Sequence, residues 1–510
     1  MNSSISKGRY LKDIVPFLNL DAQWQQTMVT GLAVDSRKVR AGDCFIAYRG
    51  DHADGRAFLL SAENAGASCA LIDFDGDVDN QQGPAELAIP VVKVKGLRQH
   101  LGQIASAFYQ APSEMLSLCA VTGTNGKTSV SQLIAQGLEN AGHRCGVIGT
   151  LGSGFPGQVL NETGNTTPGV VENNRLLKEM LDAGAEYAVM EASSHGLVQG
   201  RLDGLNVAFG VITNISRDHL DYHGSMEAYR EAKALLAKNA RLRGLVLNAD
   251  DNQVLSMASM ASPSTQVLTF STKSATRADV CAEAIQFHQA GIDIKLTCQG
   301  ASGEIKSPMV GDFNASNLLA AATTLVAMGV SLDRVCAGLS TVAAVPGRMQ
   351  KVPSVSNNPL VIVDFAHTPD ALEKALLAAR RHCVGKLWCV FGCGGDRDAG
   401  KRPLMAAMAS QFADEIVLTA DNPRSEKLSD IFSTMVKGIP DEKAYVLIED
   451  RRQAVMHAVR NATSEDVVVV AGKGHETYQD MMGVKYPHSD MACAEQALSM
   501  RAGPAMEGNP

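Results

Sequence analysis

The sequence of 510 residues contains no uninterrupted apolar run of 18 residues. A membrane-spanning helix needs about 20 such residues, so we expect no membrane span. The start, MNSSISKGRYLKDIVPF, also lacks the apolar core of a signal peptide, and we therefore expect a cytoplasmic protein. A surplus of basic residues is missing too, since 46 lysines and arginines stand against 54 aspartates and glutamates, for a net charge of −8. This balance argues against nucleic-acid binding.

Paired cysteines at metal-binding spacing are also missing, although the chain has 11 cysteines. Cys389 and Cys393 lie four residues apart, and no second pair follows them. The cysteines are therefore expected to be reduced thiols of a cytoplasmic protein rather than metal ligands. Low-complexity segments and short repeats are absent from the sequence as well. The length is too great for one core, and about three domains are expected.

What the chain does contain is a repeated alternation of short apolar runs with helical patterns, which predicts an α/β fold of three domains. Residues 1–97 carry short alternating segments and predict a small α/β domain. Residues 98–345 predict a central domain with a P-loop-type, mostly parallel sheet, and alternation at 292–296 predicts a smaller antiparallel patch within it. Residues 346–510 repeat the pattern and predict a Rossmann-like C-terminal domain.

The most informative segment is a glycine-rich turn between the apolar run 116–121 and a helical pattern. It consists of Thr122, Gly123, Thr124, Asn125, Gly126, Lys127 and Thr128. A strand, turn and helix in this order bind nucleotide phosphates, because backbone N–H groups turn inward, the lysine neutralises the phosphates and the threonine hydroxyl can bind Mg²⁺. Val121 stands where the pattern G-x-x-x-x-G-K-[ST] has glycine, so a chance surface loop is the alternative. The flanking strand and helix favour an ATP site.

Three further residues of the central domain are candidates for this site. Glu191 ends the apolar run 187–190, where a carboxylate commonly holds the Mg²⁺ of a bound nucleotide. A solvated acid at a strand end is the alternative. His219 follows another apolar run and is either a second metal ligand or a hydrogen-bonding residue. Lys233 lies in a helical pattern, and composition alone indicates one surface lysine among many.

Polar clusters follow four apolar runs of the third domain. The clusters span residues 364–367, 392–397, 421–424 and 472–476. Because ligands bind at the carboxyl ends of strands in open α/β sheets, we expect these clusters to form one shared site.

Five motifs follow one another between residues 122 and 369. They are Thr122–Thr128, Met190–Gly196, Asp218–Gly224, Gly311–Asn317 and Asp364–Pro369. Together they resemble the motifs of the Mur ligase family, the ATP-dependent amino-acid-adding enzymes of peptidoglycan synthesis. Three shorter motifs are typical of one member of that family: Asp35-Ser36-Arg37, Asp54-Gly55-Arg56 and Asn165-Thr166-Thr167-Pro168.

The resemblance implies roles at the matching positions. Glu191 would hold a first Mg²⁺ and His219 a second, with Thr128 as a further ligand. Lys233 would carry a CO₂-derived carbamate, because an ammonium cannot ligate a cation whereas a carbamate is an anionic oxygen ligand. The implied catalytic residues are Lys127, Glu191, His219 and Lys233. Further ATP contacts fall on Asn317, Arg348 and Asp364. The first domain would bind a UDP-muramoyl substrate, whose contacts fall on Ser36, His52, Thr166, Thr167, Ser193, Gln199 and Arg201.

The motif Asp421-Asn422-Pro423-Arg424 resembles the signature of family members that add meso-diaminopimelate. This amino acid has a carboxylate at its far end that lysine lacks, and the planar guanidinium of Arg424 can bind it through two parallel hydrogen bonds. An ordinary type I turn is the alternative for the motif by itself. Ser425–Leu428 replaces the usual Glu-Asp-Pro continuation, which we expect to alter the loop exit and not the gripping residues. The other implied amino-acid contacts are Arg397, Gly472 and Glu476, the last for the distal ammonium.

The resemblance implies a monomeric ligase of the bacterial cytoplasm that uses ATP and two Mg²⁺ ions. The γ-carboxylate of D-glutamate in UDP-MurNAc-L-Ala-D-Glu would attack ATP to give an acyl phosphate. The amine of meso-diaminopimelate would then displace phosphate, leaving UDP-MurNAc-tripeptide and ADP. A related ligase such as folylpolyglutamate synthetase is the near alternative. A P-loop protein that only hydrolyses nucleotide, or an inactive binding protein, are alternatives of other classes.

Overall fold

The computed structural model of the chain describes residues 8–50, 53–74, 87–274, 277–354 and 357–501. The chain divides into two compact units, one of residues 1–270 with 323–330 and the other of residues 271–322 with 331–510. The domain boundaries expected at 97/98 and 345/346 stay a prediction. Among the described residues, no helix has both the length and the apolar character needed to cross a bilayer.

The N-terminal part of the first unit is a small parallel sheet with helices. Its elements are β1 (Arg9–Tyr10), α1 (Leu11–Ile14), β2 (Met28–Val29), β3 (Gly31–Ala33), β4 (Asp43–Ala47), α2 (Leu59–Asn64), β5 (Cys69–Phe74), β6 (Val91–Lys95), α3 (Leu97–Tyr109) and α4 (Pro112–Met115). The sheet has the order β3-β4-β5-β6 and is parallel throughout, while β1 and β2 form a separate antiparallel pair. Buried residues of β4 and β5 share one core with Ile104 and Phe108 of α3.

Two Asp-x-Arg motifs of this part have a local structural explanation. Asp35 caps the short 3₁₀ helix Ser36–Lys38 and also forms an ion pair with Arg37. Asp54 caps Gly55–Phe58 in the same way and forms an ion pair with Arg56. In both, one carboxylate satisfies free N–H groups at the helix start and orients an arginine.

The rest of the first unit is a second, larger α/β layer. Its elements are β7 (Ser117–Thr122), α5 (Lys127–Asn140), β8 (Cys145–Gly149), β9 (Gly152–Gly154), α6 (Val170–Asp182), β10 (Tyr187–Glu191), α7 (Ser194–Val198), β11 (Val207–Ile212), α8 (Leu220–His223), α9 (Met226–Ala237), β12 (Gly244–Asn248), α10 (Asn252–Leu255) and β13 (Gln266–Ser271). The strands lie in the order β13-β12-β11-β7-β10-β8-β9. All neighbours are parallel except β8 and β9. Strand β7 lies between β10 and β11. The chain passes from β7 to β8 on one side of it and later from β10 to β11 on the other side, which leaves a crevice at the carboxyl end of β7.

The second unit contains an antiparallel sheet and a parallel-rich sheet. Its elements are β14 (Val280–His288), β15 (Gly291–Cys298), β16 (Ala301–Ser307), α11 (Asp312–Ala327), α12 (Leu332–Ser340), β17 (Gln350–Lys351), β18 (Leu360–Asp364), α13 (Pro369–Arg380), β19 (Leu387–Phe391), α14 (Lys401–Phe412), β20 (Glu415–Leu418), α15 (Leu428–Val436), β21 (Val446–Leu447), α16 (Arg451–Asn461), β22 (Val467–Ala471), β23 (Tyr478–Met481), β24 (Val484–Pro487) and α17 (Asp490–Arg501). Strands β14, β15 and β16 pair antiparallel, as the alternation at 292–296 predicted.

The parallel-rich sheet of the second unit has the order β17-β18-β22-β19-β20-β21. Every pair is parallel except β17 with β18. Strand β22 consists of buried residues only and lies between β18 and β19, which makes its carboxyl end a second crevice. The parallel-rich sheets covered by helices confirm the predicted α/β fold class.

Candidate active site

The phosphate loop lies at the carboxyl end of β7, in the crevice between β10 and β11. Gly123 has φ of +146°, and a Cβ there would collide with Thr213 Oγ1. Thr213 Oγ1 donates to Asn125 O at 2.6 Å, and Asn214 binds both the N–H and the C=O of Asn125. Lys127 Nζ donates to Gly123 O at 2.9 Å. The loop is therefore held from the end of β11, by residues that the motif did not identify.

Glu191 lies beside this loop, because its Cα is the parallel partner of Val121 at the end of β7. Its carboxylate is 1% exposed and accepts hydrogen bonds from Thr128 Oγ1 at 2.9 Å, Thr150 N at 2.8 Å and Thr150 Oγ1 at 3.1 Å. Burial nevertheless raises the pKa of Glu191 above its ordinary value. Thr150 in turn bonds to Thr166 Oγ1 at 3.0 Å. A cation at this position would offset the cost of the buried carboxylate.

Lys233 is buried on α9 rather than exposed, with 1% of its surface accessible. Its Nζ donates to Gly123 O at 2.8 Å and lies 4.4 Å from the ring centroid of Tyr229. Burial, with a smaller contribution from the charge of Lys127, lowers the pKa of Lys233 to about 6. Near pH 7 the amine is therefore largely neutral, which is the form that can attack CO₂.

His219 is an exposed member of this group. It is in the left-handed backbone region with φ of +50°, and its Nε2 lies 3.6 Å from Asp218 Oδ2. Its ring lies 5.1 Å from that of His195 and 6.2 Å from that of Tyr229. The Tyr229 hydroxyl donates to Thr124 Oγ1 at 3.2 Å, which joins this aromatic cluster to the phosphate loop.

The residues implied for the UDP-muramoyl substrate form a connected polar group next to Glu191. Thr167 Oγ1 donates to Glu191 O at 2.7 Å and accepts from Ser193 N at 2.9 Å. Arg201 donates to Thr167 O and, through Nε and Nη2, to Gln199 Oε1. All three guanidinium nitrogens of Arg201 are therefore held by Thr167 and Gln199.

Two implied substrate residues belong to the N-terminal part. Ser36 is the first residue of the 3₁₀ helix that Asp35 caps. His52 lies outside the described residues.

The ATP contacts implied in the second unit cluster around the end of β18. Asp364 is buried, and its carboxylate accepts from Met349 N at 2.7 Å and Ala366 N at 2.8 Å. Burial raises the pKa of Asp364. Arg348 precedes Met349, and its guanidinium lies 5.5 Å from the Phe365 ring centroid.

Asn317 lies on α11 in the same unit. Its Nδ2 donates to Asn314 Oδ1 at 2.9 Å, which fixes the direction of the amide.

The four polar clusters of the second unit meet at one edge of its sheet, as the strand-end pattern predicted. Gly395 N donates to Asn422 O at 2.9 Å, and Arg424 Nη1 donates to Gly395 O at 2.7 Å. Asn422 Nδ2 donates to Glu476 Oε2 at 3.1 Å. Gly472 N donates to Asp364 O at 3.0 Å. The loops that carry Arg397, Arg424 and Glu476 are therefore neighbours.

Arg424 has an unusual backbone conformation, with φ of +50°. The hairpin of β23 and β24 supports it, since Arg424 N donates to Asp480 O at 3.0 Å and Met482 N donates to Arg424 O at 2.7 Å. A non-glycine residue in this region is strained, and such strain is often found at ligand sites.

Ser425 and Glu426, at the exit of the Arg424 loop, contact a second loop of the same unit. Ser425 donates through N and Oγ to the two oxygens of Asp396, and Glu426 Oε1 accepts from the buried Arg402 at 2.8 Å. Glu426 also accepts from Asp396 N. These contacts tie the loop of Arg397 to the loop of Arg424, and the expectation that the changed continuation leaves the gripping residues unaltered stays a prediction.

Two side chains beside the phosphate loop could hold Mg²⁺. Thr128 Oγ1 and the Glu191 carboxylate lie together, and both offer the oxygen atoms that Mg²⁺ prefers. A Cβ at Gly149 would collide with Glu191 Oε1, so the backbone leaves room for the carboxylate. Within the part of the chain that the structure describes, three or more His, Cys, Asp or Glu side chains do not cluster as a ready-made metal site. Oxygen ligands from nucleotide phosphates or a carbamate would complete the coordination.

Family models match the chain in three consecutive segments. Residues 28–109 match the Mur ligase family catalytic domain, residues 121–325 the Mur ligase middle domain, and residues 347–474 the Mur ligase glutamate ligase domain.

Known proteins match over nearly the whole chain. The UDP-N-acetylmuramoyl-L-alanyl-D-glutamate--2,6-diaminopimelate ligase of Pseudomonas aeruginosa is 45% identical, over 92% of this chain and 95% of the relative. The ligase of the same name from Haemophilus influenzae is 43% identical, over 92% and 96%. A solved structure of a ligase with this name superposes with a TM-score of 0.78 at 36% identity, covering 97% of this chain and 100% of that one. The chain therefore belongs to the Mur ligase family.

Proposed function

We propose that the chain is an ATP-dependent amide ligase that adds meso-2,6-diaminopimelate to the γ-carboxylate of D-glutamate in UDP-MurNAc-L-Ala-D-Glu. The observation that carries this proposal is the junction of the Arg424 and Glu476 loops at one sheet edge, through the hydrogen bond from Asn422 to Glu476. A guanidinium beside a carboxylate complements the far end of diaminopimelate, which bears a carboxylate and an ammonium. Lysine has only the ammonium, so Arg424 would discriminate between the two.

In the first step, an oxygen of the D-glutamyl γ-carboxylate attacks the γ-phosphorus of ATP, and the bond to the β,γ-bridging oxygen breaks. The products are an acyl phosphate and ADP. Lys127 exchanges its two carbonyl partners for phosphate oxygens and neutralises the charge that develops there. The N–H groups at the start of α5 would bind the remaining phosphate oxygens, because those of Thr124 and Asn125 already donate to Asn214.

In the second step, the amine at the L-centre of diaminopimelate attacks the acyl carbon. The C–N bond forms, the C–O bond to phosphate breaks, and the amine loses a proton. Arg397, Arg424 and Glu476 hold the amino acid, while Thr166, Thr167, Ser193, Gln199 and Arg201 hold the muramoyl substrate. These roles follow from the family motifs, and the contacts among the residues support them.

Magnesium would be held by Thr128, Glu191 and His219, with the oxygens of a Lys233 carbamate as a further ligand. When bound, it offsets negative charge on the phosphate oxygens during transfer. The burial of Lys233 and its position on Gly123 O support the carbamate, because a neutral amine at the phosphate loop would become an anionic ligand. Intact-mass measurement in bicarbonate should detect the CO₂ adduct, and Lys233→Met should abolish it. A wild-type chain without the adduct would contradict this assignment.

We further propose that the enzyme acts as a monomer in the bacterial cytoplasm, where ATP and nucleotide-linked precursors are available. Light scattering during gel filtration would test the monomer. A stable dimer at micromolar concentration would contradict it.

The test of the function supplies UDP-MurNAc-L-Ala-D-Glu, ATP and Mg²⁺ with either meso-diaminopimelate or L-lysine, and measures phosphate release and product mass. Diaminopimelate should give the tripeptide product and lysine little or none. Turnover with lysine alone would overturn the specificity. Turnover of ATP without any acceptor would indicate a nucleotide hydrolase, and turnover with a folate would indicate folylpolyglutamate synthesis.

Two variants sharpen this experiment. Arg424→Ala should lose activity with diaminopimelate. Arg452→Ala is the matched control, because Arg452 is an arginine of the same unit whose side chain donates to Gln496 at the surface. Equal losses in both variants would show that the effect of Arg424 is not specific.

A further inference from the structure

Lys473 is a fully buried lysine at the carboxyl end of β22. Its Nζ donates to Glu476 Oε2 at 2.8 Å and to Asn422 Oδ1 at 3.0 Å, and lies 3.4 Å from Asp421 Oδ1. Each of these partners is a residue of the proposed amino-acid site. The sequence motifs assigned no role to the lysine itself.

The contacts of Lys473 determine the direction of the Asn422 amide. Asn422 Oδ1 accepts from Lys473 Nζ and from Asp480 N, the latter at 2.9 Å. Its Nδ2 must then point the other way, and it donates to Glu476 Oε2. An amide with two donors on its oxygen cannot flip without losing both bonds. Asn422 and Glu476 are thus held in one arrangement.

The same contacts leave one oxygen of Glu476 for a ligand. In the described part of the chain, the side-chain hydrogen bonds of Glu476 from Lys473 and Asn422 both end on Oε2. Oε1 remains for an incoming ammonium. The carboxylates of Asp421 and Glu476 share the ammonium of Lys473, and the neighbouring Arg451 is already paired with Asp490, so this cluster keeps a net negative charge that favours a second cation.

Lys473 also keeps Glu476 ionised. Burial by itself would raise the pKa of Glu476, but the hydrogen bond and charge of Lys473, with smaller contributions from the Asn422 hydrogen bond and the charge of His475, outweigh burial and hold the pKa below its ordinary value. An ionised carboxylate is required to bind an ammonium by charge as well as by hydrogen bond.

We propose that Lys473 is a positioning and specificity-determining residue, which orients Asn422 and the Glu476 carboxylate to receive the distal ammonium of the added amino acid. The inference rests on the proposed function. It adds a residue that acts through its neighbours and does not itself contact the substrate.

The test is steady-state kinetics of Lys473→Met across a pH series, with each substrate varied in turn. We expect the KM for diaminopimelate to rise about tenfold or more, as for the loss of a hydrogen bond to a charged group. The KM values for ATP and the muramoyl substrate should change less than about twofold. The acidic limb of the kcat/KM profile for diaminopimelate should move to higher pH, because the nearby positive charge is gone.

Lys443→Met is the matched control, since Lys443 lies in the same unit and its Nζ donates to the backbone oxygen of Ala413. It should leave all three KM values and the pH profile unchanged. Lys473→Gln keeps a neutral donor in place, and it serves if Lys473→Met does not fold. Circular dichroism melting identifies a variant that has failed to fold.

A double-mutant cycle separates positioning from general stability. If Lys473 acts through Glu476, then Lys473→Met combined with Glu476→Gln should be no worse than Glu476→Gln alone. Additive losses would overturn the inference. So would a folded Lys473 variant with an unchanged KM for diaminopimelate and an unchanged acidic limb. Failure of the wild-type chain to use diaminopimelate would instead refute the proposed function.

Discussion

Removal of Arg451 should destabilise the second unit strongly, because it breaks a fully buried ion pair. Arg451 begins α16 and Asp490 begins α17, and both side chains are 0% exposed. The guanidinium binds the two carboxylate oxygens at 2.7 Å each. Its other N–H groups donate to Ala420 O at 3.2 Å and Ala471 O at 2.8 Å, the residues that precede the motifs at Asp421 and Gly472.

The magnitude follows from what each variant leaves behind. Arg451→Met removes the guanidinium from the buried Asp490 carboxylate and leaves it only the contact with His488 Nε2 at 2.8 Å, and breaking a buried pair in this way costs about 3–5 kcal/mol. The double variant Arg451→Met with Asp490→Leu buries no charge, so it should recover about 2 kcal/mol or more of that loss. The carbonyls of Ala420 and Ala471 lose the Arg451 donor in both variants, so this loss does not change the difference.

Urea unfolding followed by tryptophan fluorescence would measure these free energies. The chain has two tryptophans, and only Trp388 lies in the second unit, so a Trp24→Phe background isolates that unit. Lys374→Met is the control, because it breaks an exposed ion pair with Asp370 and should cost less than about 1 kcal/mol. A loss below about 1 kcal/mol for Arg451→Met, or a double variant as unstable as the single one, would refute the reasoning.

Three further outcomes are expected. Gly123→Ala should raise the KM for ATP about tenfold or more, because its φ of +146° and the collision with Thr213 exclude a side chain. Gly142→Ala is the control for the collision, because Gly142 also has a positive φ, of +89°, but a Cβ there meets no atom within 4 Å. Arg424→Lys should raise the KM for diaminopimelate about 10- to 100-fold in the same kinetic assay, since lysine cannot form two parallel hydrogen bonds. Although burial opposes it, the charge of Arg451 holds the pKa of Asp490 below its ordinary value. The stability that ionised Asp490 gives the fold should therefore be present above about pH 4 and be lost as the pH falls further. Urea unfolding at stepped pH measures this loss, and Asp490→Asn should flatten it.

The sequence alone was sufficient for features that local pattern or topology determines. The phosphate loop from Thr122 to Thr128 is recognisable because its glycines, lysine and flanking elements are contiguous. The clusters at 392–397, 421–424 and 472–476 could be expected to meet because parallel strands end at a common edge. Neither prediction required knowledge of side-chain packing.

A signal for the burial of Lys233 was present in the sequence. On α9 the buried positions Tyr229, Ala232, Leu236 and Ala237 repeat at helical spacing, and Lys233 falls within that apolar stripe. From composition alone a lysine is expected at the surface, whereas the position of Lys233 on the apolar face of the helix predicts that it is buried. Arg451 has the same signature, because α16 buries residues three, four, seven and eight positions after it.

The partners of these charges could not be predicted. Asp490 lies 39 residues after Arg451, and no local pattern joins them. The contacts of Ser425 and Glu426 with Asp396 could not be predicted either, because they form between two loops that approach each other only in the folded sheet. Such contacts depend on the relative placement of strand ends, which hydrophobic periodicity does not specify.

The buried cations of this chain differ in how their charge is compensated, and this difference separates structural from chemical roles. Arg451 and Lys473 each contact a carboxylate, so they can remain charged inside the second unit. Lys127 and Lys233 both donate to Gly123 O, and among the described residues no carboxylate lies within ion-pair distance of either ammonium. Burial and the charge of Lys127 therefore favour the neutral amine of Lys233, while the charge of Lys127 itself stays uncompensated until a phosphate binds it or a carbamate forms on Lys233. The phosphate loop is the place where the folded chain leaves positive charge for its substrates to compensate.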